Sequence, residues 1–588
     1  MCKLCEGGIP QDHDASPSAS RRDFLKASTA TAAAAGLSLF GAPTAAANNG
    51  NQGGNQGGNN QGGNQGNGNQ GGNQGCNQGP DQNPPGGTGQ PGRRYIIRGG
   101  SVMSMDPTVG DFAQADVLVE GKKILAVGPN LQATGAAIID ATGRIVMPGF
   151  IDTHHHQFET ILRSWLADGV LIMDGSNTPS GNTTYYEKIL LTFAPVYRPQ
   201  DVYINELFGG LSQLDDGVTT VHDVSQIHHS PQHSDAAIQA LFDTWRRAAF
   251  GYFESAGAAV LGTNPGNKYP DDATRIKQQW FSSTDQLVTM IMGGEVYLPG
   301  YEHAWNIGRD LDVQIAAHIL SPFGIRPTLD LLAKGQGGDS GTLALGSDNL
   351  FNHMTGMSDD GWQAVQDKGA QVSIAFPIEM NMRHGMPPIL RMQKLGMEPS
   401  LSVDVECTMT ADFFTQMRVC MNLQRLLVNQ QVLDQGFPPD LESGPGFFPI
   451  DWGLPAAAAG NPWPVGPYPD DTPPLLTTRD VLRYGTMNGA KALRLDGKVG
   501  SLTPNKEADI IILDATALNV APLNQVPGAV VSLMDRTNVE TVIVAGKVVK
   551  WKGNLLGFNI PQLRQQLLAS RDYVFAAAGI PQNLFGPQ

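Results

Sequence analysis

Short runs of alternating apolar and polar residues open and close the folded part of the chain. Near the N-terminus they are RRYIIRGGSVMSMDP, ADVLVEGKKILAVGP and AAIIDATGRIVMPGF, with Gly, Asp and Pro at the turns. A matching series, GKVGSLTPNKEADIIILDA and VETVIVAGKVVKWKGNLLG, lies near the C-terminus. A period of two is typical of β-strands. We therefore expect residues 94–147 and 496–558 to pair into one small β domain.

Strand-like and helix-like segments alternate between residues 148 and 495. GVTTVHDVS, VQIAAHI, NLFNHM and QVSIAF read as strands, and Ser358 is a candidate N-cap of a helix. Such alternation predicts an α/β fold with parallel strands and helical crossovers. The length of this region suits a (β/α)8 TIM barrel with insertions. A doubly wound sheet is the alternative, but no G-x-G-x-x-G turn follows a first strand.

Two further segments carry weaker signals. Residues 432–477 are rich in Pro, Gly and aromatic residues, which favours an active-site lid or a packed surface loop. Residues 559–588 contain PQLRQQLLASRDYVFAAAG, an amphipathic helix that would serve as a docking or subunit-contact surface. Closed homo-oligomers are common, so a homo-oligomer is possible.

The N-terminal 93 residues differ in composition from the rest. SRRDFLK at 20–26 precedes an Ala-rich stretch that ends in small residues at Ala47. This is the layout of a secretory signal over residues 1–47, and the arginine pair resembles the twin-arginine type. A surface amphipathic helix is the alternative. Residues 48–93 are almost wholly Asn, Gln and Gly, which predicts a disordered linker. We expect export by the twin-arginine machinery, to the periplasm or outside the cell.

Charge and cysteine content exclude several classes of function. The net charge of −16 argues against sequence-independent nucleic-acid binding. No apolar run approaches the roughly 18 residues of a membrane span, so we expect no transmembrane anchor in the mature chain. The five cysteines are irregularly spaced and imply no disulfide framework. A small-molecule substrate is the expected partner.

Candidate chemistry begins with PGFIDTHHHQFET at 148–160. On an extended strand His154 and His156 share one face and His155 points the other way. The cluster is either a satisfied polar group in a loop or part of a metal site. Three more residues follow short apolar runs, where barrel enzymes hold their chemistry: His318, His353 and Asp404. Three His and one Asp suit Zn²⁺ or Fe²⁺ and leave a position for water.

MPGFIDTHHH, placed after a β-rich segment, resembles the first-strand motif of the amidohydrolase superfamily. The stretch MNGAKALRLDGKVGSLTPNKEADIIILD resembles the segment that closes the β-sandwich of that superfamily. The similarity spans about residues 94–555 and is greatest to the branch of cytosine and guanine deaminases and triazine hydrolases. It implies a (β/α)8 barrel, a small β-sandwich domain built from both chain ends, and a metal-activated water.

The resemblance also implies roles for individual residues. His154 and His156 would be first-strand ligands, His318 the fifth-strand ligand and Asp404 the eighth-strand ligand of one divalent metal. Zn²⁺ is expected first, with Fe²⁺ or Mn²⁺ as alternatives. Asp404 would pass a proton from the water to the leaving nitrogen. His353, the sixth-strand histidine, would contact substrate and polarise the attacked carbon.

One position departs from the pattern of the branch. Its deaminases carry Glu three residues after the fifth-strand histidine, whereas HILS places Ser321 there. Glu379 or Glu406 would be a substitute acid, although a structural role is the simpler interpretation of each. Ser321 and His222 are candidate substrate contacts.

Other polar residues leave alternatives open. Glu254 is a candidate bridge between two metals. His222, Asp223, His228, His229 and His233 form either a second metal site or a polar loop. Arg383 and His384 would meet a polar or anionic substrate, or else face solvent.

The leading hypothesis is a metal-dependent hydrolase that acts on a non-peptide C–N bond in a cyclic or heteroaromatic amide or amidine. A heterocycle deaminase or chlorohydrolase that uses a substitute acid is the alternative among enzymes. An exported binding protein that kept the barrel but lost turnover is the alternative outside them.

Overall fold

The structure, a computed structural model, describes residues 83–172, 184–255, 266–434 and 472–585. The predicted signal, most of the predicted linker and most of the 432–477 segment lie outside the described residues.

The described chain begins with turns and five strands. Residues 83–93, placed in the predicted linker, instead form turns against the sheet, because Thr88 Oγ1 accepts a hydrogen bond from Val548 N–H at 3.1 Å. The strands are β1 (Arg94–Met103), β2 (Asp111–Glu120), β3 (Lys123–Gly128), β4 (Ala137–Asp140) and β5 (Arg144–Pro148).

Eight parallel strands then form the barrel. They are β6 (Phe150–His155), β7 (Val218–Ser225), β8 (Arg247–Tyr252), β9 (Val288–Gly293), β10 (Gln314–His318), β11 (Asn349–Asn352), β12 (Gln371–Ile374) and β13 (Ser400–Leu401). Neighbours pair in chain order. The ring is completed just beyond β13, where Asp404 N–H donates to His154 O at 2.8 Å and His156 N–H donates to Asp404 O at 2.9 Å. The predicted (β/α)8 barrel is confirmed.

Helices follow the strands and cover the barrel. Those in the described residues are α1 (Pro199–Asp215), α2 (Pro231–Asp243), α3 (Ala273–Trp280), α4 (Tyr301–Asp310), α5 (Arg326–Ala333), α6 (Asp359–Lys368), α7 (Phe376–Asn381), α8 (Ile389–Lys394), α9 (Phe413–Asp434), α10 (Thr478–Arg483), α11 (Gly489–Ala492), α12 (Val526–Gly528) and α13 (Ile560–Ala577). Shorter 3₁₀ segments span Gln157–Leu162, Ala194–Val196, Ser321–Phe323 and Arg536–Asn538, and π segments span Tyr186–Phe193, Tyr484–Asn488 and Ala529–Leu533. The predicted N-cap is confirmed, since Ser358 accepts from Gly361 N–H. Among the described helices, none combines the length and apolar character needed to cross a membrane.

Small and branched side chains fill the barrel interior. They come from six successive strands and form one buried cluster that includes Ile151, Val224, Ala249, Ile291, Ala316 and Leu350. A larger apolar cluster lies between the strands and the surrounding helices. A filled interior leaves the carboxyl ends of the strands as the place for a site.

Strands from both chain ends share one sheet. The later strands are β14 (Ile510–Asp514), β15 (Val539–Val544), β16 (Lys547–Trp551) and β17 (Asn554–Leu555). β14 pairs antiparallel with β5 and so joins the two halves into a nine-stranded sheet. The pairing of the ends is therefore found, while the division of this sheet into the two layers of a sandwich stays a prediction.

A buried ion pair joins this sheet to the barrel. Arg247, the first residue of β8, donates to Asp509 at 3.0 Å and to Glu507 at 2.7 Å. The three side chains are at most 5% exposed. The carbonyl of Asp509 also accepts from Gly149 N–H, just before β6. The contact fixes the sheet against the amino-terminal end of the barrel.

Replacing Arg247 by Met should destabilise the fold by about 3–5 kcal/mol, because the buried Asp509 loses its cation and Glu507 keeps only its pairs with Lys122 and Lys123. Urea denaturation at neutral pH measures the change. The control is Arg571→Gln, which removes an exposed pair with Asp572 and should cost no more than about 1 kcal/mol. Equal stability of the two variants would contradict the anchoring role of Arg247.

Candidate metal centre and cavity

Four side chains predicted as ligands converge at the carboxyl ends of three barrel strands. The Nε2 atoms of His154 and His156 lie 3.0 Å apart, and His318 Nε2 lies 3.0 Å and 3.3 Å from them. Asp404 Oδ1 lies 3.3 Å from His154 Nε2 and 3.4 Å from His156 Nε2. All four residues are buried. The sequence prediction thus named residues that the fold brings to one point.

The spacing of these atoms suits a single cation. A tetrahedral metal with bonds of about 2.0–2.1 Å separates its ligand atoms by about 3.3 Å. His156 Nδ1–H donates to Val224 O at 2.9 Å, so its Nε2 presents a lone pair to the cluster. His318 Nδ1–H donates to Glu295 and leaves its Nε2 in the same state. Lone pairs that face each other at 3.3 Å repel unless a cation lies between them.

The protonation states agree with metal ligation. Burial, then the neighbouring histidines, hold the pKa of His154 well below its usual range. Burial, then the charge of His353, lowers the pKa of His318 to about 3. Burial alone would raise the pKa of Asp404, but His353 and His156 outweigh it and the pKa is lowered. Uncharged imidazoles and an ionised carboxylate are the forms that bind a divalent metal.

Glu295 holds the fifth-strand histidine from behind. It lies two residues beyond β9, accepts from His318 N–H at 2.9 Å and accepts a second hydrogen bond from His318 Nδ1–H. Its own N–H donates to Glu254 Oε1 at 3.2 Å. Burial raises the pKa of both carboxyl groups to about 8, and the charge of Glu295 adds to the shift of Glu254. The two hydrogen bonds that His318 donates to Glu295 hold the carboxyl oxygens of Glu295 as acceptors.

His353 is oriented by Glu379. It directly follows β11, its Nδ1–H donates to Glu379 Oε1 at 2.9 Å, and its Nε2 lies 3.7 Å from Asp404 Oδ2. Burial alone would lower the pKa of His353, but the charges of Asp404 and Glu379 raise it. His353 and Asp404 both adopt the left-handed backbone region, with φ of +71° and +69°. That conformation is uncommon outside glycine, and it is often found at functional sites.

A cavity with an empty volume of about 390 Å³ adjoins the cluster. His156, His318, His353 and Asp404 form its polar end together with His384 and Gln226. Aromatic residues line it at Tyr185, Tyr186, Tyr297 and Phe323, and aliphatic ones at Leu171, Leu190, Leu320, Met382 and Val405. No lysine or arginine of the described residues lines it. The described wall therefore suits an uncharged, flat molecule.

Two predicted substrate contacts do not line this cavity. Ser321 is exposed, in a 3₁₀ turn after β10, and its backbone N–H donates to Thr355 Oγ1. His222 is buried in the barrel, where its Nδ1–H donates to Thr153 O at 3.0 Å and burial lowers its pKa to about 3. We find no cavity contact for either residue within the described chain.

His155 points away from the cluster, as the alternation of the strand requires. Its ring lies 3.4 Å from Glu406, which also pairs with Arg163. Glu406 is therefore engaged by His155 and Arg163 on the outer side of the barrel. Neither Glu406 nor Glu379, which is engaged with His353, is placed as a free acid facing the cavity.

The other histidine-rich stretch is held by hydrogen bonds. His229 Nε2–H donates to Ala194 O at 2.7 Å and His233 Nε2–H to Tyr197 O at 3.0 Å. Among the described residues, the groups spaced to hold a metal involve His154, His156, His318, His353, His384 and Asp404 only. The polar-loop alternative is the one that the structure favours. Glu254 follows the third barrel strand and is in none of these groups.

Sequence reasoning missed two residues around the site, Glu295 and Glu159. Glu295 carries a weak signal, an acidic residue just after the apolar run VTMIM. Glu159, three residues after His156, accepts a hydrogen bond from the cavity residue Tyr185, and burial raises its pKa to about 7. His384, given from the sequence as either a substrate contact or a solvent-facing residue, is 3% exposed and lines the cavity.

Comparison with known sequences connects this site to a family. The sequence model of the amidohydrolase family matches residues 145–441 and 468–549, and that of the twin-arginine translocation signal matches residues 18–38. A 5′-deoxyadenosine deaminase of Methanosarcina acetivorans is 24% identical over 77% of this chain and 92% of its own length. A 5-methylthioadenosine/S-adenosylhomocysteine deaminase of Symbiobacterium thermophilum is 24% identical over 78% of this chain and 93% of its own length.

Solved structures share the fold. An adenosine deaminase from Xanthomonas campestris with bound zinc has a TM-score of 0.61 and 18% identity, and covers 82% of this chain and 98% of its own. The atrazine chlorohydrolase of Arthrobacter aurescens TC1, complexed with zinc, has a TM-score of 0.61 and 17% identity. It covers 81% of this chain and 100% of its own. These likenesses show the shared fold, and the spacing of the His and Asp ligand atoms in this chain suits a divalent metal.

We expect Glu295→Gln to weaken binding of a divalent metal about 10- to 100-fold, because an amide has one acceptor oxygen in place of two and orients His318 less firmly. Competition with a zinc-chelating dye measures the affinity. Glu398→Gln, an exposed change next to Arg483, is the matched control and should leave the affinity unchanged. A Glu295 variant that binds metal as tightly as the control would show that this hydrogen bond does not support the site.

Proposed function

Because the chain belongs to the amidohydrolase family, we propose that it hydrolyses a carbon–nitrogen bond, other than a peptide bond, in a small uncharged nitrogen heterocycle. The observation that carries the proposal is the convergence of His154, His156, His318 and Asp404 at the polar end of an otherwise apolar, aromatic cavity. We further propose Zn²⁺ as the resident metal, since three imidazoles and a carboxylate are a usual zinc set.

Asp404 and His353 have different roles in the proposed reaction. When bound, the cation supplies an acidified water as the nucleophile. Asp404 is ionised, and its Oδ2 has no hydrogen-bond partner among the described residues. It can therefore take a proton at Oδ2 and pass it to the leaving nitrogen. His353, held by Glu379 and with its pKa raised, can donate from Nε2–H in its protonated form to the substrate atom on which negative charge develops.

Release of an exocyclic amine is the reaction that we favour. The relatives named above include deaminases of adenine nucleosides, and a structural neighbour is a triazine chlorohydrolase. Opening of a cyclic amide is the second candidate. Ser321 favours it, because this exposed hydroxyl provides no acid for protonating an aromatic ring nitrogen.

We propose that the protein acts outside the cytoplasm, in the periplasm or after secretion. The match to a twin-arginine signal at residues 18–38 supports export. Substitution of Arg21 and Arg22 by Lys should leave the chain in the cytoplasmic fraction, since the paired arginines are the mark of this signal. Cell fractionation compares the variant with the unaltered chain, and equal export of both would refute this route.

The reaction class is testable on the zinc-loaded protein. The panel comprises 5′-deoxyadenosine, 5-methylthioadenosine, atrazine, a pterin and a cyclic amide. Release of ammonia indicates deamination, and release of chloride indicates dechlorination. Ring opening without release of ammonia indicates hydrolysis of a cyclic amide. We expect ammonia from at least one aminated ring. If no member is turned over although zinc is bound, a binding protein on the same fold becomes the better account.

Asp404→Asn should lower kcat at least about 1000-fold while the fold is retained, because the proton acceptor is lost. Kinetics on the active panel compound and circular dichroism provide the two measurements. Asp271→Asn, an exposed change beside His303, is the control and should keep full activity. Undiminished kcat in the Asp404 variant would exclude the proposed proton transfer.

A further inference from the structure

His384 is a buried polar side chain with nothing in the described chain to satisfy it. The residue is 3% exposed and lines the cavity beside the candidate metal centre. Neither Nδ1 nor Nε2 has a hydrogen-bond partner among the described residues. Buried polar groups in folded proteins nearly always have partners. An imidazole left unpaired at the wall of a cavity is therefore placed to bond a ligand.

The backbone around His384 is built to hold it there. Its carbonyl accepts from Thr355 Oγ1 at 2.6 Å, and the same hydroxyl oxygen accepts from Ser321 N–H at 2.9 Å. Arg383 and Gly385, on either side, have φ of +62° and +121°. A Cβ on Gly385 would lie 2.9 Å from Thr355 Cβ, so this close approach requires glycine. The turn has little freedom to move the ring elsewhere.

The same turn relates His384 to the unusual Ser321. A Cβ on Gly385 would lie 3.4 Å from Ser321 Cβ, and a Cβ on Gly356 would lie 2.7 Å from Ser321 Oγ. The two glycines thus pack against the serine on the outside of the cavity. Ser321, at the position after the fifth strand where the deaminases that this chain resembles carry Glu, lies outside the cavity. The neighbouring turn places the imidazole of His384 at the cavity wall.

The ring is uncharged and can both donate and accept. Burial, then the charge of His353, lowers the pKa of His384 to about 3. The two rings lie 4.8 Å apart between centroids and nearly perpendicular, at 87°. A neutral imidazole has one N–H donor and one acceptor nitrogen. Either nitrogen can therefore bond one group of an aminated heterocycle: the N–H donates to a ring nitrogen, or the acceptor nitrogen accepts from an amino group.

We propose that His384 is a substrate-binding residue that hydrogen-bonds the ring nitrogen or the amino group of an uncharged aminated heterocycle. The inference rests on the proposed function, which it deepens by naming the group that recognises the ring. A second cation held by His353, His384 and Asp404 is the rival explanation. The candidate ligand atoms of these three residues lie within 4.8 Å of one another. The ligand atoms of the first cluster lie closer together, 3.0–3.4 Å apart.

Purine binding tests this role without requiring turnover. Calorimetric titration of the zinc-loaded protein with purine is compared for wild type, His384→Phe and His384→Asn. We expect His384→Phe to weaken binding about tenfold or more, because the ring shape remains but both nitrogens are lost. His384→Asn retains a donor and an acceptor and should lose less. His303→Phe, at an exposed histidine, is the control and should bind like wild type.

Metal content and kinetics separate the explanations. One zinc ion per chain in wild type and in both His384 variants supports a substrate contact, whereas a fall from two ions to one identifies a second metal site and overturns the proposal. With the active panel compound, His384→Phe should raise KM about tenfold or more. Unchanged purine affinity and KM would overturn the proposal while leaving the hydrolase assignment intact. Weakened purine binding in a protein that turns over nothing would support His384 and refute the hydrolase assignment.

Discussion

The backbone contact that closes the barrel is the constraint on which the site depends. Asp404 pairs with the first strand through its N–H to His154 and its carbonyl to His156. The residue that completes the ring is thus also the one that supplies the carboxylate. Closure therefore places the side chain of Asp404 within 3.4 Å of two imidazoles that are 250 and 248 positions earlier in the chain. A site of this kind cannot form before the barrel does.

Around that closure, the chain orders its ligands with groups that do not touch the cavity themselves. Glu295 fixes His318, Glu379 fixes His353, and Val224 O fixes His156, each through the ring nitrogen that faces away from the cluster. Each partner sets the tautomer and so leaves Nε2 free for its task. The left-handed backbone at His353 and Asp404 is maintained by the same packed surroundings. The barrel therefore holds the metal-binding side chains rigidly from behind and leaves an aromatic cavity in front of them.

The sequence predicted most of the fold because its signals are local. Alternation of strands and helices between residues 148 and 495, and the pairing of β-rich ends, can be read without knowing long-range contacts. His154 and His156 were predictable for the same reason, since a strand places them on one face. His318 and Asp404 needed the further knowledge that barrel strands end at one rim.

What the sequence could not predict depends on how loops turn. His384 follows a strand by ten residues, and only the Arg383–Gly385 turn and its contact with Thr355 bring it into the cavity. Ser321 sits at a position expected to meet substrate, yet the packing of Gly356 and Gly385 keeps it outside. Glu295 acts through His318, and no spacing rule marks such a partner.

We propose that one divalent cation is bound by His154, His156, His318 and Asp404. Anomalous diffraction at the zinc edge from zinc-loaded crystals locates such an ion. We expect a single strong peak about 2.0–2.2 Å from the three Nε2 atoms and Asp404 Oδ1. No peak there, or a peak bound by other side chains, would refute this ligand set.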